Sequence, residues 1–220
     1  MATTTGTAAE VIPEEHTLDR LRFAAADCKA CDLWARATQT VFGEGDEKAS
    51  VMLIAEQPGD AEDIEGKPFV GPAGRILDRA LQEAGIDRRQ AYVTNAVKHF
   101  NWSETRGKRR IHKKPNARQM EACKPWLEAE IQLLRPTVIV LLGATAAQQV
   151  LGPGFSVMKN RGQLIQSSLA PSVIATVHPS SILRAPDDES RESAMAAFIA
   201  DLRKVTPLLK AKKSPVAAAR

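Results

Sequence analysis

Cysteine is scarce in this chain: three thiols, Cys28, Cys31 and Cys123, among 220 residues. An odd, small number argues against a disulfide framework, and a reducing cytoplasm is the expected compartment. No apolar run approaches the roughly 18–20 residues that span a bilayer, so no membrane association is expected. The N-terminal stretch lacks the basic-then-apolar pattern of a secretory signal. Neither an internal repeat nor a linker divides the sequence. With 44% hydrophobic residues, the chain has enough apolar content for one full core. We expect a single domain over 17–205, a disordered N-terminus over 1–16 and a basic mobile tail over 206–220.

What the sequence does have is concentrated positive charge. The net charge is +4, and in the stretch 108–114 (Lys108, Arg109, Arg110, Ile111, His112, Lys113, Lys114) six of seven side chains can carry a positive charge. Gly107 precedes the stretch and Pro115 ends it, which predicts an exposed loop within an irregular segment over 96–115. Charge of this density suits a phosphate backbone, and reads otherwise as a solvated basic loop. His112 separates the two readings. The surrounding cations disfavour its protonation and leave a neutral imidazole, which is a nucleophile.

Short apolar runs alternate with helical patterns. Strands are expected over 50–55, 91–94, 137–142 and 172–177, with a possible edge strand over 163–166. Helices are expected over 17–26, 74–84, 116–134, 144–151 and 187–205. Thr17 and Asn116 stand as N-caps, and Gly85 is the stop of the second helix. Leu18, Leu21 and Phe23 mark the inner face of the first helix. This order predicts an α/β three-layer sandwich around a mostly parallel central sheet of about four strands. Ligand sites in such sheets lie outside the carboxyl ends of strands. Three strand ends here carry polar residues: Glu56 with Gln57, Asn95, and His178. Cys28 and Cys31 form a C-x-x-C pair that reads as metal, cluster or redox chemistry, or as two buried thiols. Phe69 reads equally as a pocket wall or a core aromatic, and His178 alone as a cap or core histidine.

Together these pieces resemble the uracil-DNA glycosylase superfamily. The resemblance spans 18–205 and rests on three motifs. They are Glu56-Gln57-Pro58-Gly59-Asp60, His178-Pro179-Ser180, and the intervening Pro68-Phe69-Val70-Gly71-Pro72 with Thr94-Asn95. Lys108 to His112, reading KRRIH, is similar to the loop that marks the UdgX class. Members of that class resemble iron–sulfur glycosylases and stay covalently attached to the abasic sugar through the loop histidine. One departure is Ala55, where the family usually has glycine; its methyl is expected to crowd the pocket if that backbone approaches the base.

The resemblance implies roles residue by residue. Uracil-containing DNA, flipped or single-stranded, would be the partner of a monomeric enzyme. Asn95 would read the uracil edge, Phe69 would stack on the ring, and Gln57 and Asp60 would line the base site. His178 would donate to the uracil O2 as charge grows there, and Glu56 would stabilise the sugar cation or accept a proton. His112 would attack C1′. Lys108, Arg109, Arg110, Lys113 and Arg184 would contact DNA. The segment Ser181-Ile182-Leu183-Arg184 reads as an apolar wedge for the base stack or as a plain helix start. Cys28, Cys31, Cys123 and His99 would hold a 4Fe–4S cluster, with structural zinc as the alternative. Two other functions compete: a glycosylase that uses water and turns over, and a non-catalytic DNA-binding module stabilised by a metal or cluster.

Overall fold

The computed structural model describes residues 6–107 and 109–211, with backbone alone at 106, 109, 210 and 211. Lys108 and residues 212–220 of the basic tail therefore lie outside the described residues. A five-stranded sheet is the spine of the fold. Its strands are β1 (Val51–Ala55) and β2 (Ala91–Asn95), then, beyond a separate hairpin β3 (Trp102–Arg106) and β4 (Arg109–His112), β5 (Val138–Leu142), β6 (Leu164–Ile165) and β7 (Ser172–Thr176). The order across the sheet is β2-β1-β5-β7-β6, parallel throughout except for β6, which pairs antiparallel with β7. The expected four strands are thus present, and the possible edge strand is the fifth.

Every residue of β1, β2 and β5 is buried, as a parallel sheet covered on both faces requires. Alternation sorts their side chains into two cores. Met52, Ile54, Ile139 and Leu141 face a layer built from α1 (Leu18–Ala26), α4 (Ala117–Leu134) and α5 (Ala144–Leu151). Val51, Leu53, Val138 and Val140 face α3 (Pro72–Ala84) and α8 (Asp188–Arg203). Ala55 belongs to this second cluster and is 1% exposed. Its methyl packs in the same cluster that the Phe69 ring lies against.

Several local expectations resolve on physical grounds. Thr17 accepts from the Arg20 N–H at 3.2 Å, and Asn116 accepts from Gln119 N–H at 2.9 Å while Gln119 reciprocates, a full capping box. Leu18 and Leu21 are buried, whereas Phe23 is 82% exposed. Five residues beyond Leu18, it has turned about 500°, off the inner face. The N-terminal stretch is not wholly disordered: Ala8–Val11 forms a 3-10 turn with Ala8 buried against α4. The tail begins later than expected, because Thr206–Ala211 is helical and Leu209 is buried. The segment 96–115 is not an irregular loop. It contains the antiparallel hairpin β3–β4, with Trp102 paired to His112 and Thr105 to Arg110. A short acidic helix, α2 (Asp60–Glu65), follows the first polar motif, its three acidic residues in the first turn suiting the helix dipole.

The turn into α3 is shaped by one glycine. Phe69 has φ 60°, a left-handed backbone that a large side chain rarely adopts. The α3 backbone packs so closely beneath it that a Cβ on Gly74 would stand 1.6 Å from the Phe69 carbonyl oxygen. Gly74→Ala is accordingly expected to lose about 3 kcal/mol of stability in urea unfolding, since the lesion is backbone against backbone.

Candidate active site

The parallel strands β1, β2 and β7 end at the same edge of the sheet, with β5 between β1 and β7, and each delivers a polar side chain there. Ala55 and Asn95 are register partners, so Glu56 follows directly beside Asn95. His178 lies two residues past the end of β7 and caps α7 (Pro179–Leu183). The hairpin folds over from the fourth side and carries His112 into the same cleft. Its Nε2 stands 3.2 Å from Oε1 of Glu56. That approach is off the line of a full hydrogen bond, and Oε1 has no other partner among the described residues. The second carboxylate oxygen, Oε2, accepts from the Thr145 hydroxyl. Burial, the largest influence, pushes Glu56 toward protonation. The contacts with His112 and Thr145, together with the His112 and Lys114 charges, outweigh it and hold the carboxyl below its usual range.

His178 is oriented by its neighbours. Nδ1 accepts from the Ser180 backbone N–H at 3.1 Å, and the Ser180 hydroxyl lies 2.8 Å away. An Nδ1 that accepts leaves the proton on Nε2 in the neutral ring. Burial lowers the imidazole pKa to about 4, with Arg184 and His112 adding to the effect and Glu56 opposing it. His178 is therefore a neutral Nε2–H donor near pH 7. The Phe69 ring lies 6.1 Å from it, the two planes inclined by 24°.

Asn95 is buried, and its carboxamide has no partner among the described residues. Its backbone carbonyl accepts from Lys98 Nζ at 2.8 Å. Lys98 is itself buried and pairs with Glu130 at 2.6 Å, and Glu130 also accepts from Tyr92 and Thr94. This closed network compensates two charges that would otherwise be prohibitive in the interior. It was invisible in the sequence because its members lie on β2, α4 and the segment between them.

Three expected site residues have partners within the protein. The Arg110 guanidinium meets two carboxylates. Its Nε meets Asp60 Oδ1 at 2.6 Å and its Nη1 meets Asp63 Oδ2 at 2.7 Å, while Nη1 also donates to the Thr38 hydroxyl. Asp60 is thereby held through one carboxylate oxygen, Oδ1. The Gln57 side chain donates to the carbonyls of Asn101 and Lys113 and accepts from the Asn101 N–H. Its side-chain amide thus ties the end of β1 to the base of the hairpin. Lys113 remains an exposed cation with no side-chain partner among the described residues, and Arg184 is exposed with one bond to the Ser180 hydroxyl. The Arg109 side chain and all of Lys108 lie outside the described residues. In the segment after His178, Ile182 is buried and only Leu183 offers an apolar surface, at 39% exposure.

A cavity of about 860 Å³ opens at Phe69, lined also by Lys67, Arg75 and Arg88. It reaches the beginning of β2 at Ala91 and includes none of Glu56, Asn95, His112 or His178, so it is not the cleft described above.

Cys28, Cys31 and Cys123 are all free and buried. The Trp126 indole N–H donates to Cys28 Sγ at 3.3 Å, and the Lys98 backbone N–H to Cys123 Sγ at 3.2 Å. Burial pushes Cys31 up to about 11 and Cys123 up to about 12. Such thiols become thiolates only with a compensating cation. The donors aimed at two of the sulfurs suit that state, so the chemistry of the three sulfurs fits a bound metal group. His99 is buried, and its Nε2 lies 3.0 Å from the Thr40 hydroxyl. Among the described residues no three Cys, His, Asp or Glu side chains are drawn together closely enough to hold a single ion.

The Arg110 clasp is testable. Arg110→Met leaves the fully buried Asp63 carboxylate without its cation, retaining only the Thr38 N–H. The expected loss is about 3 kcal/mol in urea unfolding, with faster amide exchange over 102–112.

Comparison with known proteins agrees with the geometry. Residues 42–203 match the model of the family described as Uracil DNA glycosylase superfamily. The chain is 38% identical to the Type-4 uracil-DNA glycosylase of Thermotoga maritima over 165 residues, covering 74% of this chain and 82% of that protein. It is 33% identical to a Type-4 uracil-DNA glycosylase of Sulfurisphaera tokodaii over 179 residues, 78% of each chain. A third, from Archaeoglobus fulgidus, is 31% identical over 206 residues, 90% of this chain and 96% of its own. With the strand-end cleft in place and the match extending over most of its length, the chain belongs to the uracil DNA glycosylase superfamily.

Proposed function

We propose that this protein excises uracil from DNA and then captures the abasic sugar through a bond from His112 to C1′. The observation that carries the reading is the meeting of His112 Nε2 and Glu56 Oε1 at 3.2 Å, inside the cleft shared with Asn95 and His178. The His112 side chain stays half exposed, so the contact gives the imidazole a fixed neighbour without burying it.

The roles follow from donors and acceptors. The unpartnered Asn95 carboxamide offers an acceptor to uracil N3–H and a donor to O4. Phe69 supplies a ring for stacking. The Nε2–H of neutral His178 is directed to stabilise charge growing on O2 as the bond between N1 and C1′ breaks. Glu56, held ionised, faces the positive charge that develops on the sugar. His112 then gives a lone pair to C1′ in place of water, with the advantage of an already positioned nucleophile. The first adduct is an imidazolium. Transfer of its remaining N–H proton to Glu56 leaves a neutral N-glycosyl imidazole whose departure would require expelling imidazolate, and this accounts for a durable link. Of the cations expected at DNA, Lys113 and Arg184 are exposed and available to phosphates. Relatives named as uracil-DNA glycosylases support the substrate, and the KRRIH stretch supports the capture step.

We assign Cys28, Cys31, Cys123 and His99 to a 4Fe–4S cluster, supported by three buried thiols and the N–H donors at two of them. Its contribution is structural, tying the segment after α1 to α4. Stoichiometric iron with acid-labile sulfide is the expected content of purified protein; zinc in its place would replace this assignment.

A uracil-containing oligonucleotide on a denaturing gel tests the function. The expected product is a DNA-shifted protein band, with the sugar mapped to a peptide containing His112. His112→Ser should abolish the shifted band and leave an alkali-labile abasic strand, because the smaller side chain admits water. An abasic strand from the wild type without a shifted band would mean ordinary turnover, and neither product would mean a binding module.

A further inference from the structure

We propose that Thr145 is the positioning residue of this site, pinning one oxygen of Glu56 so that the other is the one presented to His112 and the sugar. The inference rests on the reading above, that Glu56 and His112 act together.

The sheet order places it. β5 lies between β1 and β7, so its carboxyl end emerges between Glu56, which follows β1, and His178, which follows β7. The turn there is tight. Gly143 has φ 94°, and a Cβ on it would sit 3.1 Å from the His178 Cβ. Immediately beyond, Ala144 and Thr145 open α5, so the hydroxyl reaches Glu56 from the positive end of an eight-residue helix. Thr145 is only 4% exposed. Buried hydroxyls in helices often turn back on a carbonyl of the preceding turn; here the proton goes to Glu56 Oε2.

The bond has two chemical consequences. It blocks rotation of the carboxylate, which makes its two oxygens inequivalent. Oε2 is occupied, while Oε1 stands without an aligned partner 3.2 Å from His112 Nε2. It also favours the ionised form, in the direction that Glu56 shows. One turn, from Gly143 to Thr145, therefore spaces the carboxylate and the imidazole that flank it. None of the expected site residues came from this strand end.

The test compares Thr145→Val, which keeps the shape and loses the hydroxyl, with Thr145→Ser, which keeps the hydroxyl and loses the methyl. Single-turnover rates of uracil release and of covalent capture are followed against pH for both and for wild type, with thermal unfolding as the folding control. Thr145→Val is expected to slow capture by about tenfold to a hundredfold, the scale on which a small misplacement acts. The acid limb of its capture profile is expected to move to higher pH, because Glu56 loses a bond that favours its ionised form. Thr145→Ser should restore the limb and most of the rate. Valine with the wild-type limb and rate would overturn the proposal, as would equal effects of valine and serine, which would mean packing alone. If valine does not fold, Thr145→Ala carries the same expectations. Glu56→Gln in wild-type background separates the two levels. If it slows capture while Thr145→Val does not, Thr145 alone is wrongly assigned; if it leaves capture unchanged, the Glu56–His112 reading fails and this proposal fails with it.

Discussion

A guanidinium held between two carboxylates is the interaction on which the cleft depends. Arg110 sits on β4, two residues before His112, and its charge is met by Asp60 and by the fully buried Asp63 of α2. The hairpin has little apolar surface to anchor it, so directional charge replaces burial. Phe100 and Trp102 lie 5.2 and 5.8 Å from the same guanidinium and add aromatic faces to its shelter. On the other side, the Trp102 indole donates to the Arg36 carbonyl and the Arg36 guanidinium lies over the Trp102 ring at 4.2 Å. The basic hairpin is thus clasped between α2 and the segment that follows Cys31.

That arrangement explains which parts of the molecule were legible in the sequence. The parallel sheet was readable because each of its inner strands is a short run of apolar residues between turns, and burial on both faces demands that composition. The strand ends were readable for the same reason, since polarity returns where the sheet stops. The hairpin was not. Its residues are mostly charged or polar, with Trp102 and Ile111 too few to set an apolar period, and what holds it is a set of partners some fifty positions distant along the chain. Read locally, Arg110 looks like a phosphate ligand; its partner Asp63 looks like one more acid in a solvated helix.

Thr145 and the Lys98–Glu130 pair were hidden by a different mechanism. A threonine in the first turn of a helix has an ordinary reason to be there, and nothing in its neighbours points across the sheet to Glu56. Lys98 and Glu130 each read as surface residues, yet both are essentially inaccessible. Only the juxtaposition of β2 and α4 makes the pair affordable.

Adjacent residues at the end of β1 divide two tasks across a single peptide unit. Glu56 faces the chemistry, and Gln57 fastens the hairpin through Asn101 and Lys113. The base and the reacting arm are therefore geared together: displacing the hairpin disturbs the carboxylate, and shifting the carboxylate strains the hairpin. On the mechanism proposed above, the flipped nucleotide makes the journey to an imidazole already in place beside Glu56.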